Sequence, residues 1–585
     1  MNDPQPMKPR VVLFDPVRGN WLRFESPCRI LTTRRMADVL PILRRVEAAV
    51  EQEGLHAAGF LSYEAAPALD PSLPSNGACG FPLLWFGLFR QVKEQDKLAR
   101  KDAEAELPAH WRPSVTADAY MRALRAIRRH IREGDAYQVN YTYRLRAKAA
   151  GATPWDFFYQ MSGAGDLPFA AFLDTGEWAI CSASPELFLR LDGERIESRP
   201  MKGTAARGRW AEDDLARGEK LRASAKDRAE NVMIVDMVRN DLGRVAEPGS
   251  VQVQNLFDVE RHPTVWQMTS TVCALTRASL TQILQATFPP ASITGAPKRR
   301  AMEIIARLEH SPRRVYTGTI GFISPGRRAQ FNVAIRTVSI HRDSGKAEYG
   351  VGGGIVWDSK PAAEQRECQI KTRALHPLRR DFDLLETMLW TPQKGYWLFD
   401  CHVRRLTQSA AYFGFLVDSA KIRAELKRLA AELPDRAHRI RLTLARQGSF
   451  QCDKKILQPA ARQFGDVTFA ASPVEAGNVF LYHKTTCRQV YVDAVKAVPG
   501  CSDVLLYNEK GEVTESTIAN VAFEIRGRLF TPPVPCGLLP GTQRAWLIGQ
   551  GKLQERVITR AQALRATGVY LLNSLRGMQK IRIVS

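Results

Sequence analysis

The sequence predicts a mixed α/β (α+β) chain of more than one domain, and three observations carry that prediction. The chain has 585 residues, beyond the roughly 250–300 at which one hydrophobic core stops growing. Residues 118–375 alternate apolar patterns of helical and strand period. A polar, basic stretch, LHPLRRDFD at 375–383, is followed by fresh element patterns. A length prior of about 100–200 residues per domain would give three or four compact units.

Taken in order, residues 10–90 mix strand-like runs (VVLF, WLRF) with a helical stretch from Met36 to Glu53. Residues 93–113 are charged and Pro-bounded, the pattern of an exposed connection. These features divide the chain into 1–117, the N-terminal part of a first domain; 118–376, its catalytic part; 377–383, a linker; and 384–585, a second domain. The second domain begins with the strand-like LLETMLW and the helical HVRRLTQSAAYFGF. It ends with the short strands GVYLLNS and KIRIV.

Composition narrows the function classes. Hydrophobic residues at 45% and charged residues at 25% are ordinary for a soluble globular protein. The net charge of +22 is spread over both domains, with no basic arm or tail. That distribution suits anionic small molecules better than nucleic acid. The ten cysteines include no C-x-x-C pair, so neither a zinc site nor a redox pair is expected. Dispersed thiols fit a reducing, cytoplasmic location. No apolar signal segment follows the N-terminus, and no run approaches the roughly 18 apolar residues of a membrane span.

Two carboxylate pairs in the first domain share one spacing. Asp227 and Glu230 lie in SAKDRAENVMIVDMVRNDLG, and Glu364 and Glu367 in DSKPAAEQRECQIKTRAL. Residues at i and i+3 share a helix face, so facing helices would bring four acidic groups together. Hard oxygen ligands in that number suit Mg²⁺, although spacing alone favours two solvated acidic turns. Four Gly/Thr-rich strings surround these pairs: RPMKGTAARG, SITGAPK, YTGTIG and YGVGGGI. Glycines let backbone N–H groups approach an anion closely. Together with Arg336 in FNVAIRT they read as an anion-lined pocket.

At this point the strings GDAYQVNYT (134–142), SASPELF (182–188), RPMKGT (199–204), AENVMIVDMVRNDLGRV (229–245), SITGAPKRRAMEII (292–305), YTGTIGFI (316–323), FNVAIRT (331–337) and GGGIVWDSKPAAEQRE (352–367) resemble the chorismate-binding enzyme family. That family includes anthranilate, aminodeoxychorismate and isochorismate synthases. The resemblance implies an α/β sandwich of two facing sheets. RFESP (23–27) and GFLSYEAA (59–66) are similar to the region that holds a bound tryptophan in relatives.

The resemblance also implies roles. Mg²⁺ on Glu230 and Glu367, with Glu364 and Asp227 around it, would hold the ring carboxylate of chorismate as a Lewis acid. Gly203, Thr204, Thr294, Gly352 and Gly354 would line the substrate pocket. Tyr316 and Arg336 would clamp the enolpyruvyl carboxylate. Relatives usually carry Glu where this chain has Asp227.

Lys202 in PMKGT resembles the lysine with which aminodeoxychorismate synthases attack the ring, displacing the 4-hydroxyl. Ammonia then adds at C4 and expels the lysine. Such a nucleophile must be neutral, which desolvation or nearby positive charge favours. Glu186 would be the acid and base for the departing hydroxyl and arriving ammonia. Gln138 stands where water-activating relatives carry Lys, and Gln cannot act as that base. Gln267 stands where relatives commonly carry His, a candidate proton carrier in pyruvate-eliminating members. No second block resembles a glutaminase, so ammonia would come from solution or from a separate glutamine amidotransferase subunit.

In the second domain, LLET (384–387), CHVRRLTQSA (401–410), YHKTTCR (482–488), GEVTESTIANVAF (511–523) and GLLPGTQR (537–544) resemble the fold-type IV pyridoxal-phosphate enzymes. These include branched-chain and D-amino-acid aminotransferases and aminodeoxychorismate lyase. The resemblance implies that Lys484 carries pyridoxal 5'-phosphate and that Glu515 pairs with its pyridine nitrogen. Arg405 and Thr542 would hold the phosphate, with backbone donors at Ile518 and Ala519. A homodimer through this domain is left open.

Lyase and aminotransferase share every contact named. Their pairing with the first domain favours the lyase, giving 4-aminobenzoate and pyruvate from chorismate and ammonia. The rivals are an anthranilate synthase fused to an aminotransferase, and a basic nucleic-acid-binding protein with relict enzyme folds.

Overall fold

The computed structural model describes residues 9–77, 80–98, 107–108, 110–149, 152–162, 167–262, 264–372, 375, 382–458 and 466–584. It divides into two compact units, one of residues 1–207 and 217–378, the other of 208–216 and 379–585. The length prior of three or four units gives way to two. The first unit is large because two broad sheets share one core. Most of the expected linker, 377–381, and residues 99–106 and 109 of the expected connection lie outside the described residues.

The first unit is built on two ten-stranded sheets, each with nine strands in one continuous order and a tenth off it (Arg112–Pro113 beside Gln138–Lys148, and Gln252–Arg261 beside Val265–Leu275). One runs from Gly295–Ala296 through Gln138–Lys148, Lys346–Ile355, Thr337–His341, Trp178–Ser184, Phe169–Asp174 and Arg10–Asp15 to Asn20–Glu25 and Lys93–Gln95. The other runs from Met201–Ala206 through Val265–Leu275, Arg195–Arg199, Leu187–Asp192, Arg328–Val333, Thr319–Ser324 and His56–Leu61 to Leu84–Phe89 and Arg29–Thr33. Strands from the first hundred residues therefore complete both sheets.

The sheets face each other over an apolar layer. Val11, Leu13, Phe24 and Ile180 of one pack with Phe60, Trp85, Phe89 and Phe322 of the other, all nearly or fully buried. Each large side chain so buried contributes about 1.5–3 kcal/mol. Helices cover the outer faces. Val39–Glu53, Ala225–Gly243 and Leu280–Thr287 pack on one sheet. Ala117–Arg132, Pro154–Ser162 and Lys298–Leu308 pack on the other.

The second unit has a four-stranded and an eight-stranded sheet. The four-stranded sheet orders Gly395–Tyr396, Leu384–Thr391, His438–Leu444 and Phe450–Ile456. Leu384, Met388, Ile440 and Leu442 pack against Leu406, Ala410, Ile422 and Leu426 of helices Phe399–Phe413 and Ser419–Ala431. This unit also takes in Gly208–Ala216, which the sequence reading placed within 118–376. Tyr412 Oη donates to the Gly208 carbonyl at 2.7 Å, and the Trp210 ring stacks on Tyr482. No helix among the described residues is long and apolar enough to cross a membrane.

Candidate functional site

Lys202 occupies an irregularity in an edge strand. The strand Met201–Ala206 pairs with Val265–Leu275, and its register slips between Met201 and Thr204. Gly203 there has φ +92°, a conformation that favours glycine. A bulge of this kind re-aims the adjacent side chain. A β-carbon on Gly203 would also stand 3.0 Å from Asp227 Cβ. Gln267 stabilises the bulge. Its Nε2 donates to the Gly203 carbonyl at 2.8 Å, and Thr204 Oγ1 donates to its Oε1 at 3.1 Å.

The bulge turns Lys202 into a cavity of ≈ 160 Å³. Glu186, Gly203, Thr204, Asp227, Glu230, Tyr316, Arg336, Gly352, Gly354, Glu364 and Glu367 line it as well. Gln138 is fully buried beside it, and a β-carbon built on Gly354 would stand 2.5 Å from Gln138 Nε2 and 2.9 Å from Lys202 Nζ. Thr294, like Gln138, is not among the lining residues. It is fully buried, and its hydroxyl turns back to the Ala291 carbonyl at 3.1 Å. Ser292 and Ile293 of the same string line the cavity instead.

The two acidic pairs lie on helices Ala225–Gly243 and Pro361–Thr372, as the spacing predicts. Ser224 caps the first helix and hydrogen-bonds to the Asp227 carboxylate. Their oxygens do not form a tight cluster, since His130, Glu133 and Asp135 are the one carboxylate–imidazole group within 4.8 Å among the described residues. Each helix also supplies a cation to one of its own carboxylates. Lys226 Nζ lies 3.7 Å from Glu230, and Lys371 Nζ 2.8 Å from Glu367. Neither lysine was singled out from sequence, although Lys371 lies four residues beyond Glu367 on the same helix. A set of hard carboxylate oxygens facing one cavity fits Mg²⁺ once those ammonium groups give way.

The electrostatics suit a nucleophile and a proton carrier. Burial lowers the Lys202 pKa, and Lys371 adds to that, while Glu230 and Glu186 oppose it. Lys202 Nζ has no hydrogen-bond partner among the described residues. Burial pushes the Glu186 carboxyl up to about 7 against the pull of Ser292 and Lys202. Such a group both gives and takes a proton near neutrality. The Arg336 guanidinium also lacks a partner among the described residues, and its backbone is held at φ +49°. Non-glycine residues persist there when their surroundings enforce it, as at ligand clamps.

In the second unit a cavity of ≈ 480 Å³ is lined by Arg405, Lys484, Glu515, Ile518, Ala519 and Thr542, among others. The Leu385 N–H donates to the Lys484 carbonyl at 2.9 Å, which ties the lysine to the four-stranded sheet. Burial brings the Lys484 ammonium down to about 8, with Arg405 adding to the effect. Burial raises the Glu515 carboxyl to about 8, although Tyr491 Oη donates to it at 2.8 Å and Asn520 Nδ2 at 3.1 Å.

Arg405 is pre-set by Glu386. Its Nε and Nη2 donate to the two Glu386 oxygens at 2.8 and 2.7 Å, and Nη1 reaches the Pro540 carbonyl at 3.3 Å. Thr542 opens the helix Thr542–Gly549, which has no side-chain N-cap bond among the described residues, so its first N–H groups can meet an anion. The Ala519 N–H already contacts Ser516 Oγ at 3.0 Å, and that of Ile518 does so at 3.4 Å. This donor set, with a buried lysine and a buried carboxyl, fits a phosphorylated pyridine cofactor. Glu386, Tyr491 and Asn520 were not among the residues singled out from sequence, though Glu386 lies within the LLET string.

Residues 10–377 match the family model described as chorismate binding enzyme, and 383–584 that of amino-transferase class IV. The aminodeoxychorismate synthase component 1 of Klebsiella aerogenes is 44% identical over 301 residues, 50% of this chain and 66% of that protein. Its counterpart in Escherichia coli K12 is 43% identical over 263 residues, 45% of this chain and 57% of that protein. The chain thus spans less than two thirds of these relatives. The anthranilate synthase component I of Streptococcus pneumoniae TIGR4 superposes with a TM-score of 0.54 at 23% identity. That superposition covers 64% of this chain and 93% of the other, a likeness of fold.

Proposed function

Because the chain belongs to the chorismate binding enzyme family, we propose that its first unit converts chorismate and ammonia to 4-amino-4-deoxychorismate. We further propose that its second unit removes pyruvate from that product to give 4-aminobenzoate. The observation that carries the reading is the Lys202 amine, unpartnered and lowered in pKa, in one cavity with Glu186 and four carboxylates. An anthranilate-forming relative needs no amine at that position.

In this reading the Lys202 amine bonds to the ring as the 4-hydroxyl leaves, and Glu186 supplies the proton that departs with it as water. Ammonia then forms the C4–N bond, the C–N bond to Lys202 breaks, and Glu186 takes up the surplus proton. Arg336 and Tyr316 orient the enolpyruvyl carboxylate. Glu230 and Glu367, with Glu364 and Asp227 beside them, would hold Mg²⁺, which supplies Lewis-acid stabilisation of the ring carboxylate. Ammonia is delivered by a separate glutamine amidotransferase subunit.

In the second unit, Lys484 would carry pyridoxal 5'-phosphate, whose ring supplies an electron sink when bound. Glu515 would pair with a protonated ring nitrogen, and Arg405 and Thr542 would take the phosphate. The Lys484 amine, once released, is the base positioned to remove the C4 proton of the substrate as pyruvate leaves.

The test is product analysis of the full chain with chorismate, ammonium, Mg²⁺ and pyridoxal phosphate. Wild type should give 4-aminobenzoate and pyruvate. Lys202→Ala should form neither the amine intermediate nor a covalent adduct visible by intact-mass spectrometry. Lys484→Ala should accumulate 4-amino-4-deoxychorismate. Anthranilate as the product would defeat the reading.

A further inference from the structure

The second unit's cavity carries more positive charge than its cofactor requires. Six cations line it (Arg405, Arg439, Arg441, Lys484, Arg488 and Arg576) against the single carboxyl of Glu515. Arg405 is committed to Glu386, and Arg488 donates to the Thr517 carbonyl while lying over the Tyr491 ring. The Arg439 and Arg441 side chains make no hydrogen bond or ion pair among the described residues, and Arg439 Nε is shielded from solvent without a partner.

Their placement follows from the strand register. Arg439 and Arg441 are two residues apart on His438–Leu444, so they share one face of the four-stranded sheet. Ile440 and Leu442 point the other way, into the apolar layer under the helices. Arg441 is paired with Thr387 and Arg439 with Leu389 of the neighbouring strand. Lys484 stands beside Leu385 on that strand's other edge, since Leu384 bridges Thr485. Arg441 is therefore two strands across and two residues along from Lys484, about 12 Å between backbones at ordinary sheet spacings. Long side chains reaching inward from both ends leave room for a ring between them. Arg439 lies a further two residues along the strand from Lys484 and is the less exposed of the two.

We propose that Arg441 and Arg439 form a carboxylate-binding wall facing Lys484, which makes this site selective for a cyclic amine bearing two carboxylates over amino acids bearing one. The inference rests on the lyase reading given above and assigns the residues that would choose its substrate. The Arg405 and Thr542 end receives the cofactor phosphate, and the wall on the opposite strand receives the substrate's anionic groups. A guanidinium meets a carboxylate through a two-pronged, charge-assisted contact.

The test uses the full chain loaded with pyridoxal phosphate and supplied directly with 4-amino-4-deoxychorismate, which separates it from the first unit. Arg441→Gln and Arg439→Gln should each raise KM at least about tenfold, as expected for loss of a charged hydrogen bond. The expected change in kcat is small, cofactor affinity should be unchanged, and Arg441→Lys should restore part of the loss. Benzene-1,3-dicarboxylate should perturb the cofactor's visible band at lower concentration than benzoate, and the Gln variants should lose that preference. An unchanged KM with an unchanged dicarboxylate preference would overturn the wall. So would loss of cofactor binding, because the arginines would then serve the phosphate. If wild type fails to consume the amine yet prefers the dicarboxylate, the lyase reading fails and the wall stands.

Discussion

Lys202 Nζ and Gln138 Nε2 meet over the same backbone carbon, that of Gly354, where an added methyl group would stand 2.9 Å from one and 2.5 Å from the other. The amine is thus held between two strands of one sheet and a bulged strand of the other. Gly354→Ala should displace the amine without disturbing the core, because the atoms it meets are the ends of flexible side chains. The expected result is a large fall in 4-amino-4-deoxychorismate formation with unchanged thermal unfolding. A variant as fast as wild type would show that Lys202 needs no such placement.

Glu186 is buried to 4% exposure, and its carboxyl is raised to about 7. As general acid and base it should be worth about 10²–10⁴ in rate. Glu186→Gln should lose that much in kcat while chorismate binding, followed by tryptophan fluorescence, stays close to wild type. A parallel loss of binding would make Glu186 a substrate-holding group instead.

Lys371 changes the charge that Lys202 feels. Its ammonium, held in place by Glu367 and the Gly352 carbonyl at 2.8 Å each, disfavours a second positive charge nearby. Removing it should raise the Lys202 pKa, so less free amine is present at neutral pH. Lys371→Gln should shift the acid limb of the first unit's pH–rate profile toward higher pH, with activity partly recovered in alkali. A profile that falls uniformly would assign Lys371 to substrate binding alone.

Much of this was legible from residue order. The i,i+3 carboxylate pairs fell on helices, one burying Ile234, Val235, Val238 and Leu242 at helical spacing and the other Glu364 and Cys368, and the glycine strings fell on strands and turns around one cavity. What stayed hidden depended on three-dimensional contact. Thr294 looked like pocket lining, yet its hydroxyl is spent on the Ala291 carbonyl within its own turn. Lys371 and Lys226 carry no motif of their own, and their role appears only when their ammonium groups stand against Glu367 and Glu230. Gln267 read as the loss of a proton carrier, whereas the fold uses it to stabilise the Gly203 bulge. Gly208–Ala216 joins the second unit through Tyr412 and Trp210, a long-range association that no local pattern announces.

Cofactor loading should follow the Lys484 amine. Burial lowers that group to about 8, so the neutral form grows as pH rises through that value. The rate at which the apoprotein gains its visible cofactor band should therefore climb between about pH 7 and pH 9. In Arg405→Met one neighbouring positive charge is gone, so the midpoint should move upward. A midpoint near the ordinary lysine value in wild type would mean the amine is not desolvated before the cofactor arrives.

Glu386 should make the second unit sensitive to acid. Burial opposes its charge, but Arg405 and His402, whose Nδ1 lies 2.7 Å away, hold its pKa at about 2, below the ordinary value of 4.5. A carboxyl depressed in the folded state stabilises the fold fully above its unfolded pKa, and that contribution drains away as pH falls through the folded one. Wild type should thus lose stability between about pH 5 and pH 2 in denaturant titrations read by the cofactor band. Glu386→Gln should be weaker at pH 7, since Arg405 is left buried without its counter-charge. The same variant should show a flatter decline in acid. If the two proteins lose stability in parallel as the pH drops, the acid response arises elsewhere and the Glu386–Arg405 pair is not what orients the arginine.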